Sequence, residues 1–352
     1  MSKTLKKLAL LQLFFAISVS NLFSQDVARP LSFESMKDAI FECNVPDFGA
    51  SGYSRAMAAM FSAYEKEWGG KISPGTKGKV GVKIYTNSGP GMSTPRELVD
   101  AVIGQLEKRG YKRGDITLVD MSRRKIRASG FLPKLSVLQN GAADDYDGVK
   151  VADIESGKFF DKQWFYDNAL QPKSVRSIGN STDLYNPELR KSYLPVPLFL
   201  TVDFWINLPV ITDMEGLGVC AAIGNASLWN MSNNERFLKQ PANASMAAAE
   251  VCSIPELRDS HMMTILTLER GQFVGGAVFN SRCTFSENLI LMSANPVVID
   301  YLAWQTVNKY RRSFGFKPVD PMPPVLNYCK ELKIGDYDMR KIKLITVPLK
   351  GK

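Results

Sequence analysis

With 352 residues, 45% of them hydrophobic, the chain is too apolar for wholesale disorder and long enough for one large domain or two smaller ones. Its formal charge of +9 is dispersed, which favours acidic partners in general and gives no concentrated stripe for nucleic acid. One histidine (His261) and five scattered cysteines (Cys43, Cys220, Cys252, Cys283, Cys329) with no CxxC offer no usual metal-ligand spacing, so neither a metal nor a cofactor is expected.

Lys3, Lys6 and Lys7 precede an apolar run from Leu8 to Val19, followed by small residues up to Ser24. A charged start, a short apolar run and small residues near a cleavage point form the pattern of a secretory signal peptide, predicted over 1–24. The run is too short for a comfortable membrane span, so a periplasmic or secreted protein with no stable span is expected. Without the three leader lysines the balance is 41 basic to 35 acidic residues, or +6. Export permits disulfides, but an odd cysteine count leaves at least one thiol free.

Residues 25–75 read as an extended lead-in and a helix over 52–68, where Met57, Met60, Phe61, Tyr64 and Trp68 recur at three- and four-residue steps. The most informative stretch follows. Val80–Tyr85 reads as a buried strand, Ser88–Ser93 as a Gly-bearing loop, and Thr94-Pro95-Arg96-Glu97 as a helix start, with Thr94 at the N-cap and Glu97 at N3. Leu98, Val99, Val102, Ile103 and Leu106 line one face of that helix, which stops at Gly110, and Asp115–Asp120 reads as the next strand. Strand, helix and strand within about forty residues make a βαβ unit with parallel neighbours. Residues 139–195 are polar and aromatic-spotted, and read as a surface insertion. Strand character returns over 198–208, a second Gly-rich turn spans Gly216–Asn225, and Met262–Leu268 and Leu289–Met292 read as strands. Asn295-Pro296 reads as the cap of a helix reaching about Arg312. The fold class is α/β: a mostly parallel or mixed sheet with flanking helices, built from βαβ units and occupying 76–346 as a single domain.

The chemistry is read at strand carboxyl ends. A helix start facing a Gly- and Ser-bearing loop offers free N–H groups and a positive dipole end, which suit a carboxylate or phosphate. The expected ligand-binding residues are Lys83, Ser88, Gly89, Gly91, Ser93, Thr94 and Asn295. Lys83, Asp213 and Asp300 are the candidate catalytic groups, although short carboxylates near helix starts usually cap them. Gly89-x-Gly91 with Asp120, Arg123 and Arg124 invites a dinucleotide-dependent oxidoreductase reading. Against it, the third glycine is replaced by Thr94, Pro90 removes a donor, and an exported enzyme lacks free nicotinamide cofactor. The cluster Arg123–Arg127 reads as a solvated loop or a binding patch.

Three blocks resemble a large prokaryotic family catalogued as domain of unknown function 362. They are Val80–Tyr85 with its loop and Glu97–Val102; Val202–Pro209 running into Gly216–Asn225; and Leu291–Asp300 with Leu332–Asp338 and Lys341–Thr346. The likeness covers roughly 76–346 and is similar, more distantly, to the amino-terminal half of nickel-pincer lactate racemases, whose activity is not carried over. Where the family reads leucine-proline-lysine-x-lysine-threonine-histidine, this chain has Leu208-Pro-Val-Ile-Thr-Asp-Met214, and Gly224 stands before Asn225. The third block has Asn295 where an aspartate is usual, with Asp300 matching, and the iron–sulfur segment of many relatives has no counterpart. Two function classes follow: an exported binder of a small anion that also acts on it or only holds it, and a non-catalytic secreted binder of an acidic polymer using aromatics such as Trp164 and Tyr166.

Overall fold

A computed structural model describes residues 32–169, 187–238 and 241–349. The expected leader and the Asn180–Asp183 part of the expected insertion lie outside the described residues. The strands are β1 (Ala39–Asn44), β2 (Val80–Lys83), β3 (Ile116–Asp120), β4 (Lys150–Asp153), β5 (Phe160–Asp167), β6 (Lys191–Pro195), β7 (Phe204–Asn207), β8 (Thr212–Met214), β9 (Gly218–Cys220), β10 (His261–Thr267), β11 (Gly271–Gln272), β12 (Thr284–Phe285), β13 (Leu289–Ser293) and β14 (Lys343–Thr346). The helices used below are α1 (Ala50–Trp68), α2 (Arg96–Glu107), α3 (Arg123–Ala128), α4 (Ala222–Ala226), α5 (Pro241–Ser253), α6 (Pro255–Ser260), α7 (Pro296–Ser313) and α8 (Pro324–Glu331).

Eight strands form one mixed sheet in the order β14-β1-β13-β10-β7-β2-β3-β4. Only β13 runs against its neighbours β1 and β10; the other pairs are parallel. The fold is therefore α/β, with helices on both faces. Period-two alternation in β1 shows how the layers divide. Phe41 packs on Tyr64 of α1, while its neighbour Ile40 joins the cluster of Val298, Ile299 and Ala303 from α7. α1 buries Tyr53, Met57, Met60, Phe61 and Tyr64, so the apolar stripe seen in sequence is its core face, and Gly69 closes it in the left-handed conformation at φ 74°.

Two sheet strands arise from segments read otherwise. β1 lies in the expected lead-in, and β4, inside the expected insertion, is the edge strand parallel to β3. The β5–β6 hairpin is a separate two-stranded sheet. The strand expected from 198 begins only at Phe204, because Pro195 and Pro197 turn the chain into a 3₁₀ segment at Val196–Leu198.

The connections set a switch point. β2 leads through α2 to β3 on one side, whereas the chain after β7 returns through α4–α6 to β10 on the other. β2 and β7 are nevertheless adjacent, with Lys83 opposite Asn207. In open parallel sheets, the crevice outside the carboxyl ends at such a reversal is where ligands bind.

Gly81, in the middle of β2, lets the 3₁₀ segment press against the sheet. A Cβ there would lie 2.5 Å from the Pro197 carbonyl oxygen and 2.7 Å from Leu198 Cδ2. Gly81→Ala should therefore destabilise the protein by about 1–3 kcal/mol, the usual range for overpacking. Urea denaturation checks this, and an unchanged midpoint would refute the packing account.

Candidate functional site at the carboxyl ends of β2, β3 and β7

Lys83 ends β2 with its side chain wholly buried. Its ammonium donates to Asp120 Oδ1 at 2.6 Å, to the Ile84 carbonyl at 2.7 Å and to Asn225 Oδ1 at 3.0 Å. All three donors of the ammonium are thus used. Asp120, at the end of β3 and equally buried, accepts both the N–H and the hydroxyl of Thr86 at 2.6 Å through its other oxygen. Burial pulls the Lys83 ammonium below its ordinary value, and the neighbouring Asp120 carboxylate opposes that pull. Asn225 of α4 donates to Asn207 Oδ1 at 2.8 Å, and Asn207 donates to the Ala222 carbonyl at 2.9 Å. An ion pair and two amides from three strands and a helix close one buried network.

Lys83 was expected to meet an anion in the cleft. Its charge is instead neutralised inside the protein, so it ties β2 to β3 and α4 and has no donor left for a ligand. Asp120, placed in sequence where a ribose-binding acid stands, is likewise committed to Lys83 and Thr86.

The loop after β2 also departs from expectation. α2 starts at Arg96, Pro95 occupies the N-cap position, and no side chain caps the helix. The Thr94 hydroxyl has tertiary work: it accepts the Tyr85 N–H at 2.8 Å and donates to the Leu208 carbonyl at 2.7 Å, joining the loops that follow β2 and β7. The capping box read from Thr94 and Glu97 is therefore absent. Ser88 shares a 2.8 Å hydrogen bond with Tyr85 Oη. Gly89 takes φ 78°, which glycine alone adopts freely. Gly91 approaches a side chain and leaves no open backbone, since a Cβ there would lie 2.4 Å from the Phe279 ring; its carbonyl accepts from Arg270 at 2.9 Å. Ser93 follows, half-buried, in extended conformation.

The remaining candidates lie elsewhere. Asn295 caps α7, accepting from the N–H groups of Val297 at 2.9 Å and Val298 at 3.2 Å, as the sequence implied. Because β13 runs antiparallel, that cap sits at the amino edge of the parallel strands, opposite the Ser88–Thr94 loop. Topology thus separates Asn295 from the other expected ligand residues. Asp213 accepts from the Gly276 N–H at 2.8 Å and pairs with Arg311 at 3.4 Å. Asp300 is buried in α7 and accepts from the Ala222 N–H at 2.5 Å and the Ile223 N–H at 3.2 Å, where α4 begins. Burial pushes its carboxyl up to about 8 despite those donors. Burial likewise pushes the Cys220 thiol up to about 12, with the Asp300 charge adding to it. All five cysteines are buried and free. Among the described residues, no group of three or more His, Cys, Asp or Glu side chains is arranged to hold a metal ion.

Two residues outside the expected set lie at the same rim. Asn87, 7% exposed, has a buried Nδ2 with no hydrogen-bond partner. Its carbonyl accepts from Lys125 Nζ at 2.7 Å, which brings a half-buried cation from α3 to the same loop. Arg123 and Arg127 of that helix pair with Asp144, so the basic cluster is a pinned element and not a free loop. The signal for Lys125 lay in that cluster; nothing in sequence distinguished Asn87 from its neighbours.

No family model matches the chain, and no curated protein matches it. Among solved structures, the crystal structure of a Thermotoga maritima protein from a structural genomics consortium is similar at a TM-score of 0.39 and 10% identity, over 76% of this chain. This chain spans 59% of that protein's length.

Two predictions follow from the buried charges. Lys83→Met leaves the buried Asp120 carboxyl without its cationic partner, and should cost about 3–5 kcal/mol in urea denaturation, with part recovered on adding Asp120→Asn. A loss under about 1 kcal/mol would contradict the buried pair. Asp300 has a folded-state pKa of about 8. That lies above the unfolded value of roughly 3.9, so its contribution is complete below about pH 4 and is lost as pH rises through 8. The melting temperature of the wild type should therefore carry an alkaline decline up to about pH 8 that Asp300→Asn lacks. Parallel profiles for the two proteins would overturn the assignment.

Proposed function

We propose that the protein is exported and holds a small anionic ligand, a carboxylate or a phosphate, in the crevice outside the carboxyl ends of β2 and β7. The observation that supports this most is the buried Asn87 Nδ2 without an acceptor, on the loop at the sheet's switch point. Buried amide donors are almost always satisfied, so an orphan at a crevice is best explained by a missing acceptor. Lys125 supplies the charge first sought at Lys83, and the Ser88 hydroxyl adds a polar group on the same loop. Lys83 and Asp120 serve by fixing Thr86, the residue before Asn87. The reading is of binding, and no reaction is assigned.

The polymer-binding alternative draws less support. Trp164 packs edge-on to Phe199 at 5.8 Å, and Tyr166 lies against Phe237 with its hydroxyl on Glu250. Those aromatics face inward. Kinship with the family of domain of unknown function 362 rests on block order alone.

Inorganic phosphate and acetate should raise the melting temperature of the wild type. Asn87→Leu and Lys125→Met should each weaken that response by roughly ten- to a hundredfold in affinity, the worth of one charge-assisted hydrogen bond. No shift in the wild type, or equal shifts in all three proteins, would defeat the proposal. Export has its own check: amino-terminal sequencing of secreted material should begin between Asn21 and Asp26. Intact protein confined to the cytosol would refute it.

A further inference from the structure

The buried network continues across the sheet. Beyond Asn207, the Thr264 hydroxyl of β10 lies 3.4 Å from Asn207 Nδ2 and 3.2 Å from Nε2 of His261, at the amino end of the same strand. His261 borders a cavity of about 20 Å³ lined by Lys37, Trp205, Asn207, Cys252 and Arg258 among others.

The directions of the hydrogen bonds from Lys83 to Asn207 are determined at two independent points. At the carboxyl rim, an ammonium can only donate, so the atom of Asn225 facing Lys83 must be the amide oxygen. Its NH₂ then faces Asn207, which must present its oxygen there. That leaves the NH₂ of Asn207 toward the Ala222 carbonyl, a group that can only accept. Reasoning back from the carbonyl gives the same orientation, so the two amides are fixed from both ends. Asn207 Nδ2 can only donate, so the Thr264 hydroxyl accepts there, and its one proton and second lone pair remain for the group on its other side. The group on its other side is His261 Nε2.

We infer that the Lys83 ammonium, acting through Asn225, Asn207 and Thr264, holds His261 as the neutral tautomer protonated on Nδ1, with Nε2 accepting from the threonine. Other facts agree with this geometry. Backbone hydrogen bonds with Met263 and Ala294 also hold the imidazole. The ring is buried against Trp205 at 4.6 Å, and burial with the Lys37 charge pulls its pKa down to about 3, so it stays uncharged. Asn207, Asn225 and Thr264 are positioning residues on this reading: they hold the ammonium at one edge of the sheet and the imidazole at the other. His261 then has neither nitrogen free to act as a base or to ligate a metal.

A free imidazole in water favours the opposite tautomer, with the proton on Nε2, which makes the inference discriminating. His261 is the only histidine of the chain, so long-range ¹H–¹⁵N correlation spectra of the full protein at neutral pH give one imidazole pattern. The expected pattern is a single Nδ1–H tautomer with an unprotonated Nε2. In Thr264→Val the donor to Nε2 is gone, and the nitrogen shifts should move toward a mixture of tautomers; Thr264→Ser should restore the wild-type pattern. An Nε2–H pattern or an averaged one in the wild type would overturn the inference, even if the valine variant fails to fold. A wild-type pattern retained in a folded Thr264→Val would overturn it as well.

Discussion

The Lys83–Asp120 pair is the constraint around which the sheet is assembled. Removing two charges from water carries a penalty of several kcal/mol per ion, which the attraction between them offsets only if every remaining donor and acceptor is satisfied. The structure meets that condition: three acceptors surround the ammonium, and the carboxylate takes two further donors from Thr86. The satisfying groups come from the end of β3, the loop after β2 and α4. The pair can form only when β2 and β3 are in register, α4 is seated and the loop after β2 has turned back. Apolar side chains at these positions would tolerate small slips; a buried ion pair does not. Its contribution is to the uniqueness of the arrangement at the switch point more than to net stability.

The same demand explains why the loop after β2 is not an open anion cradle. A helix start is a ready anion site when its first N–H groups face solvent and a side chain caps the rest. Here Thr94 is drawn away from the helix by two backbone partners, Tyr85 and Leu208, that are themselves buried. With Gly91 pressed on Phe279, the loop closes over the strand ends. On this loop the unsatisfied group is a side chain, the Asn87 amide.

Sequence patterning revealed much of this fold because its signals were local. The 3.6-residue period of α1, the apolar runs of β10 and β13, and the Asn295-Pro296 start of α7 all depend on residues a few positions apart, and the structure shows them where they were read. β4 was missed because its four residues, Lys150–Asp153, carry no alternation that sets them apart from the polar stretch around them; pairing with β3 makes them a strand. The functional residues were less legible for a related reason. Lys83 at a strand end reads alike whether it projects into a cleft or turns inward. The difference is decided by Asp120 and Asn225, which are 37 and 142 positions away. Thr94-Pro95-x-Glu97 satisfies a capping pattern that two distant backbone groups then override.

The lone histidine shows how far such constraints travel. His261, which has no metal-ligand spacing in sequence, is buried and hydrogen-bonded in the structure. What sequence could not supply is the polarity of its surroundings, which is a property of a chain of contacts and not of any one residue. An ammonium that can only donate and a carbonyl that can only accept leave the amides between them a single orientation. Order at the rim and order at the far edge of the sheet are then the same fact. A substitution that turns either asparagine around disturbs both the seat of Lys83 and the imidazole. An isosteric change in this polar thread, such as Asn to Leu or Thr to Val, removes a donor or acceptor that its buried neighbours use.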